Sequence, residues 1–409
     1  MRNTDINAPG CGAPGKATSR DIDRSDPSLL EIVGGTKVLL AVRNLSRSGG
    51  RLWVSLFGIV FATFLMAVQG SLLHSFMLAA SRIIDAISAD LVIVGRATPT
   101  FDYVSPIPER YASIVLGVKG VANAGRGILG WAPIERPNGD RTIVLLVGVE
   151  EPFRGRLPDV AGLASARGLS EWALAIDASE AETLQYEGEP RAVQIAGRRG
   201  RLVGETDQFS SFIGSPYVFS TYLDAHRYLR LDRTEISFLA LNVAQGRDPA
   251  VVRDALQLRF PDVDVLTRAE MSARSRLFWL VKTGAGGALT LAAILGFCIG
   301  LVLVAQTIYS ITADNIEEYA TLKAMGASNR DVHMVVLVQS LVCGMVGGIV
   351  GLILVDPFAT AIRPLVTWIA VPGWIYLVVA LALVFLCIAA SLIAARPAVA
   401  IDPGRVFRA

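Results

Sequence analysis

The sequence predicts an α-helical membrane protein with four transmembrane helices and a large α+β extracytoplasmic domain inserted between the first and second. Three observations carry that prediction. Over 409 residues the mean hydropathy is +0.49 and only 18% of residues are charged, against about 25% in soluble domains. The apolar residues gather into four long runs, one ahead of a polar stretch of almost 200 residues and three behind it. Basic residues are concentrated in the short segments on one side of those runs, the short loop between the third and fourth carrying only Arg363, while long translocated segments escape the positive-inside rule. The composition also excludes function classes. The formal net charge is +2, from 38 Lys+Arg against 36 Asp+Glu, without the clustered basic excess of a nucleic-acid binder. Cys11, Cys298, Cys343 and Cys387 show no metal-ligand spacing.

Residues 1–34 are rich in Gly, Pro, Asp, Ser and Arg with no apolar period, which reads as a disordered cytosolic tail. Within it, Gly10 to Lys16 mimics a phosphate loop and Gly10 to Gly15 a dinucleotide fingerprint. Both motifs require a strand before and a helix after, and neither pattern is present. Residues 35–50 place Val38, Leu39, Val42 and Leu45 at helical spacing among Lys37, Arg43 and Arg47. This is a basic amphipathic helix lying on the inner leaflet, or else the cytosolic start of the first span.

A hydrocarbon core about 30 Å thick needs roughly 20 apolar helical residues. Trp53–Ala80 meets that within a first span assigned to 51–80. It begins too late and is too long for a cleavable signal. The second span is 277–311, longer than a bilayer requires, the third 332–355 and the fourth 374–395. Arg43, Arg47 and Arg51 precede the first, Lys323 and Arg330 separate the second and third, and Arg396, Arg405 and Arg408 follow the fourth. The positive-inside rule therefore sets both termini (the last being 396–409) and the 312–331 loop in the cytosol. It sets 81–276 and the short loop 356–373 outside. Gly296/Gly300, Gly344/Gly348 and Gly347/Gly351 are small-xxx-small pairs that permit close helix approach; glycine is also simply common in spans.

The outer segment has similar ends. Ala89–Gly95 reads as a buried strand and Ile107–Leu116 as a helix opened by Pro108. Ile236–Val243 reads as a strand, Asp248–Phe260 as a helix opened by Pro249, and Val263–Leu266 as a strand. Two such strand–helix–strand units, about 81–125 and 234–270, pack as one α+β layer. The middle, 126–233, reads as an inserted β subdomain, with a hairpin at Asn138-Gly139-Asp140. No nucleophile elbow or metal-binding His-Glu-x-x-His helix occurs. Glu205 and Asp207 share a strand face and read as solvated charge.

The most specific local pattern lies in the 312–331 loop. Tyr319, Leu322 and Met325 fall on one face of a short helix. Gly326 is placed to end it in the left-handed conformation. Ser328 and Asp331 form a capping-box pattern that restarts the chain as the third span. An apolar face on a rigid link between spans is suited to a groove in a cytosolic partner.

Glu318-Tyr-Ala-Thr-Leu-Lys323-Ala-Met-Gly326-Ala-Ser328 resembles the coupling helix of FtsX/MacB-type ABC transporter permeases, and the span order resembles that family over nearly the whole chain. Ser88-Ala-Asp90-Leu-Val-Ile-Val94 after the first span resembles the DevC branch. The resemblance implies porter-like and sabre-like parts in the outer domain and a cell inner membrane location. It implies a non-catalytic permease with no cofactor of its own; ATP and Mg are expected on a separate cytosolic ABC ATPase similar to DevA. A homodimer, a DevB-like membrane fusion protein and a TolC-like outer-membrane channel are the further partners implied. By the same resemblance Glu317, Glu318, Tyr319, Leu322, Lys323, Met325, Gly326, Ala327 and Ser328 form the ATPase-coupling site. A long first and second helix would carry motion outward. Lipoprotein release or control of a partner protein is the alternative within the family, and an ATPase-independent membrane sensor or scaffold the alternative outside it.

Overall fold

The computed structural model describes residues 49–400 apart from 137, 170 and 233, with side chains from Leu56 onward. The N-terminal tail, the expected surface helix, the phosphate-loop look-alike and the last nine residues lie outside the described residues.

In chain order the helices are α1 (Gly49–Ala79), α2 (Arg82–Ala86), α3 (Tyr111–Val115), α4 (Val160–Ala166), α5 (Ala181–Leu184), α6 (Tyr222–Leu229), α7 (Pro249–Arg259), α8 (Arg268–Leu277), α9 (Gly284–Asp314), α10 (Ile316–Ala324), α11 (Asn329–Ile353), α12 (Val355–Ile362) and α13 (Gly373–Val399). Among the described residues four helical segments are long and apolar enough to cross a membrane: Leu56–Ala79, Gly284–Asp314, Asn329–Ile362 and Gly373–Val399.

The strands are β1 (Leu91–Gly95), β2 (Ile107–Pro108), β3 (Val121–Glu135), β4 (Arg141–Val149), β5 (Ala173–Asp177), β6 (Arg191–Ile195), β7 (Arg198–Thr206), β8 (Tyr217–Thr221), β9 (Glu235–Ile236), β10 (Phe238–Val243) and β11 (Val263–Thr267). Nine of them make one sheet in the order β11-β1-β10-β3-β4-β8-β5-β7-β6. Its first four strands pair antiparallel. With α3 between β1 and β3, and α7 between β10 and β11, they form the split β-α-β arrangement of a ferredoxin-like layer. The two ends of the outer segment thus interleave, as their matching patterns require. The insertion is not a separate sheet, because β3 runs through both parts. The far end of β3 also pairs with β6, Ile134 opposite Ile195, so the six strands from β3 to β6 curl into a small closed ring.

Side chains alternate across a strand, and both faces of this sheet are covered. Leu91 and Ile93 join one core with α3, α6 and α7. Val92 and Val94 join another with α2, α4 and α8. The expected hairpin is present: Gly139 has φ +88°, and Arg136 N donates to Asp140 O at 2.8 Å. Asp248 caps α7 by accepting from Ala250 N at 2.9 Å.

Three expectations need correction. Pro108 does not open a helix. It lies in β2 opposite Glu235 of β9, since proline's missing N–H suits a short edge strand, and α3 starts at Tyr111. The segment 356–373 is not only a loop, because α12 follows α11 after a turn at Leu354, with Pro357 in its first turn. The second span is not a continuous helix from Leu277. α8 ends there, Phe278–Lys282 form a π turn, and Thr283 is extended at φ −110°, ψ 149°. Its hydroxyl caps α9 by accepting from Gly286 N at 3.2 Å. A β-carbon on Gly286 would sit 2.6 Å from Leu280 Cα, so only glycine allows the chain to fold back there.

Candidate functional site

α10 is tied into the helix bundle on one side and open on the other. Its end is built by backbone bonds. Gly326 has φ +98°, Gly326 N donates to Lys323 O at 3.0 Å, and Ala327 N donates to Leu322 O at 3.0 Å. These two bonds are the Schellman arrangement that satisfies the last helical carbonyls. The chain restarts at once. Ser328 Oγ accepts from Asp331 N at 3.3 Å and Asp331 Oδ2 accepts from Ser328 N at 3.0 Å, a reciprocal capping box. The loop between α10 and α11 therefore has little freedom.

The inner face of α10 carries Tyr319, which is fully buried and donates its hydroxyl to Gln339 Oε1 on α11 at 2.7 Å. Burial raises the phenol's pKa, so the tyrosine stays a donor across the physiological range. Leu322 packs against the same bundle core. Lys323 Nζ reaches Val399 O at the end of α13, 2.7 Å away; a cation at a helix C-terminus is favourably placed.

This corrects the expected docking face. Tyr319 and Leu322 seat on the chain's own bundle, and of the three only Met325 is exposed, at 73%. The open surface consists of Glu317, Thr321 and Ala324, with Met325, Gly326 and Ser328 at its end, while Glu318 and Ala327 are half-buried. Helical spacing identified one apolar stripe correctly but could not say whether lipid-side helices or a partner would cover it. Gln339 was the missed residue. A glutamine in an apolar span is costly unless paired, and that cost was its sequence signal.

The glycine pairs lie at contacts within the bundle. Gly296 and Gly300 pack against Gln69 and Met66 of α1. Gly347 and Gly351 also face α1, where a β-carbon on Gly351 would sit 2.7 Å from Val60 O. Gly344 and Gly348 face Cys387 and Leu383 of α13. Ser340 adds a bond to Cys387 O at 2.9 Å.

At the opposite end of the bundle, α2 and α8 meet. Arg276 donates to Asp85 Oδ2 at 2.9 Å and to Ser81 Oγ at 2.7 Å. Trp279, in the π turn, donates its indole N–H to Asp102 at 2.9 Å. Asp102 is buried, and desolvation pushes its carboxyl pKa up to about 6 despite bonds from Trp279 and Thr100. Among the described residues no group of His, Cys, Asp and Glu could hold a metal ion.

Four spans, an inserted α+β domain and a capped helix between the second and third spans define a multi-pass membrane architecture. Residues 290–403 match the family model of the FtsX-like permease C-terminal region. ABC transporter permeases of Mycobacterium bovis and Mycobacterium tuberculosis are each 26% identical over 221 residues, 53% of this chain and 57% of theirs. The chain thus spans little more than half the length of these curated relatives. Two solved structures are similar at low level. The periplasmic region of MacB from Actinobacillus actinomycetemcomitans is 12% identical, covering 46% of this chain and 94% of that one, with a TM-score of 0.34. The extracellular domain of the noncanonic ABC-type transporter YknZ from Gram-positive bacteria is 13% identical, covering 44% and 98%, with a TM-score of 0.31. The match to the FtsX-like permease model is thus confined to the region that holds α10 and the last three spans, in a chain whose four membrane-length apolar helices mark a multi-pass membrane protein.

Proposed function

We propose that this chain couples an ABC ATPase in the cytosol to movement of its outer domain, and that α10 is the element the ATPase pushes. The observation that carries the reading is the two-sidedness of α10. Its inner face is bonded to α11 and α13 through Tyr319 and Lys323, so force on its outer face must move the bundle. Glu317, Thr321 and Ala324 supply that outer face. Glu318, Gly326, Ala327 and Ser328 set its angle.

The proposal includes the orientation that the basic flanks require, with α10 and both termini in the cytosol. It also includes a homodimer, a membrane fusion protein and an outer channel of the DevB and TolC kinds, and a place near the DevC branch, supported by the run from Ser88 to Val94. An interrupted second helix changes the expected route of motion. The break at Thr283 makes a joint, not a continuous rod, between bundle and outer domain.

The test is co-purification of the chain with its ABC ATPase and stimulation of ATP hydrolysis. Ala324→Trp places a large side chain on the open face and should reduce both by at least tenfold. Arg141→Ala on the exposed hairpin should change neither. Full binding and stimulation by Ala324→Trp would remove α10 as the coupling element. Impermeant labelling of single cysteines should reach position 138 and not position 328 in intact cells.

A further inference from the structure

Where the bundle meets the outer domain there is a cavity of about 610 Å³. Arg82, Arg156 and Arg363 line it from three separate segments, with Leu78, Trp368 and Asp85 beside them. The one carboxylate is already matched, since Asp85 accepts from Arg276 and from Ser81. Among the described residues none of the three arginines forms an ion pair. Arg82 is half-buried, its contact is Ser210 O at a long 3.4 Å, and among the described residues no carboxylate stands within ion-pair distance of it. Arg156 reaches the Asp85 backbone carbonyl, at 3.3 Å. Burial lowers the Arg82 pKa, and the more distant Tyr217 and Asp177 offset that only in part. A charge withdrawn from water without a partner is costly, so the empty side of this cavity favours an anion.

The cavity also lies beside the end of the first apolar span. Leu78 belongs to the last turn of α1, where the apolar span ends at Ala79. Ser75 Oγ donates to Ala370 O at 2.8 Å and accepts from Ala370 N at 2.9 Å, holding the α12–α13 connection against α1. Trp368 lies 6.0 Å from the Phe76 ring, an aromatic at the depth where such side chains mark the bilayer interface.

We infer that this cavity binds the phosphate of a membrane amphiphile's headgroup, with Arg82, Arg156 and Arg363 as its ligands and Leu78 and Trp368 against the base of its chains. Guanidinium forks match phosphate oxygens, and the site opens at headgroup height. The site is on the opposite side of the bundle from α10 and does not depend on the coupling reading.

Thermal unfolding of the full chain in non-ionic detergent tests it, with added dioctanoyl phosphatidylglycerol, dioctanoylglycerol or inorganic phosphate. The phosphatidylglycerol should raise Tm in a saturable way and dioctanoylglycerol should not. Arg156→Gln and Arg363→Gln, both exposed, should leave the unliganded Tm unchanged and weaken the apparent affinity about tenfold each, as for loss of a charged hydrogen bond. Arg82→Gln should abolish the response and raise the unliganded Tm, whereas an arginine held only for structure would lower it. Equal affinity for inorganic phosphate would overturn the headgroup assignment in favour of a soluble phosphate compound. A lipid response that survives Arg156→Gln and Arg363→Gln together, or no response in the native chain, would overturn the site itself.

Discussion

The two ends of the helix bundle are joined to their neighbours in opposite ways. At the α10 end, a short helix is stopped by Gly326, restarted by Ser328 and Asp331, and bonded to two spans through Tyr319 and Lys323. At the outer end both connecting helices are broken, one at Ala80–Ser81 and one at the π turn and Thr283. Polar ties bridge these breaks, Arg276 to Asp85 and Trp279 to Asp102. Insertions of π geometry recur at functional joints. The comparison teaches that one membrane protein can hold a rigid grip at one end and a jointed one at the other using the same kinds of bond. What differs is whether the backbone between the bonds is continuous.

The bundle between the two joints must itself be stiff for the comparison to matter, and its tightest point gives the largest expected effect. Gly351→Leu would force α1 and α11 apart at Val60, costing roughly 3 kcal/mol or more by overpacking. Size-exclusion profiles in detergent should show loss of the monodisperse species. A normal profile and unchanged Tm would mean that the seam is loose.

The outer joint should respond to pH and the inner joint should not. Asp102 is raised from 3.8 to about 6 in the folded chain. Between those values the unfolded chain releases the proton while the folded chain keeps it, so stability falls as pH rises through that window and levels off above it. The loss is about 3 kcal/mol at most. Asp102→Asn should therefore match the native chain in Tm near pH 4 and exceed it at pH 8. An equal Tm difference at both values would show that Asp102 does not titrate there.

A smaller effect separates the inner joint from simple packing. Tyr319→Phe leaves Gln339 without its partner in an apolar setting and should cost about 2 kcal/mol. Adding Gln339→Leu should recover most of that loss. If the double variant is as unstable as the sum of the two single ones, the hydrogen bond is not what holds α10 to α11.

Much of this was legible in the residues because the signals were local. Four apolar runs gave four spans, Gly326 and the Ser328–Asp331 pair gave the stop and restart, and Pro249 gave the start of α7. Where sequence reading failed, a neighbour distant in the chain decided. Pro108 became a strand residue because β9, more than 120 residues later, offered it a partner. Leu277–Lys282 looked like a span because their composition is apolar; the break after them depends on Gly286 packing onto Leu280. Periodicity grouped Tyr319, Leu322 and Met325 on one stripe, but whether that stripe faced α11 or a partner was set by Gln339, an isolated polar residue in the third span.

The central claim is that the outer face of α10 meets the ATPase while its inner face grips the bundle. A photo-crosslinking amino acid at position 321, compared with one at position 319, tests this in membranes that contain both proteins. The account predicts an ATPase adduct from position 321 and only crosslinks within the chain from position 319. An ATPase adduct from 319 with none from 321 would contradict it.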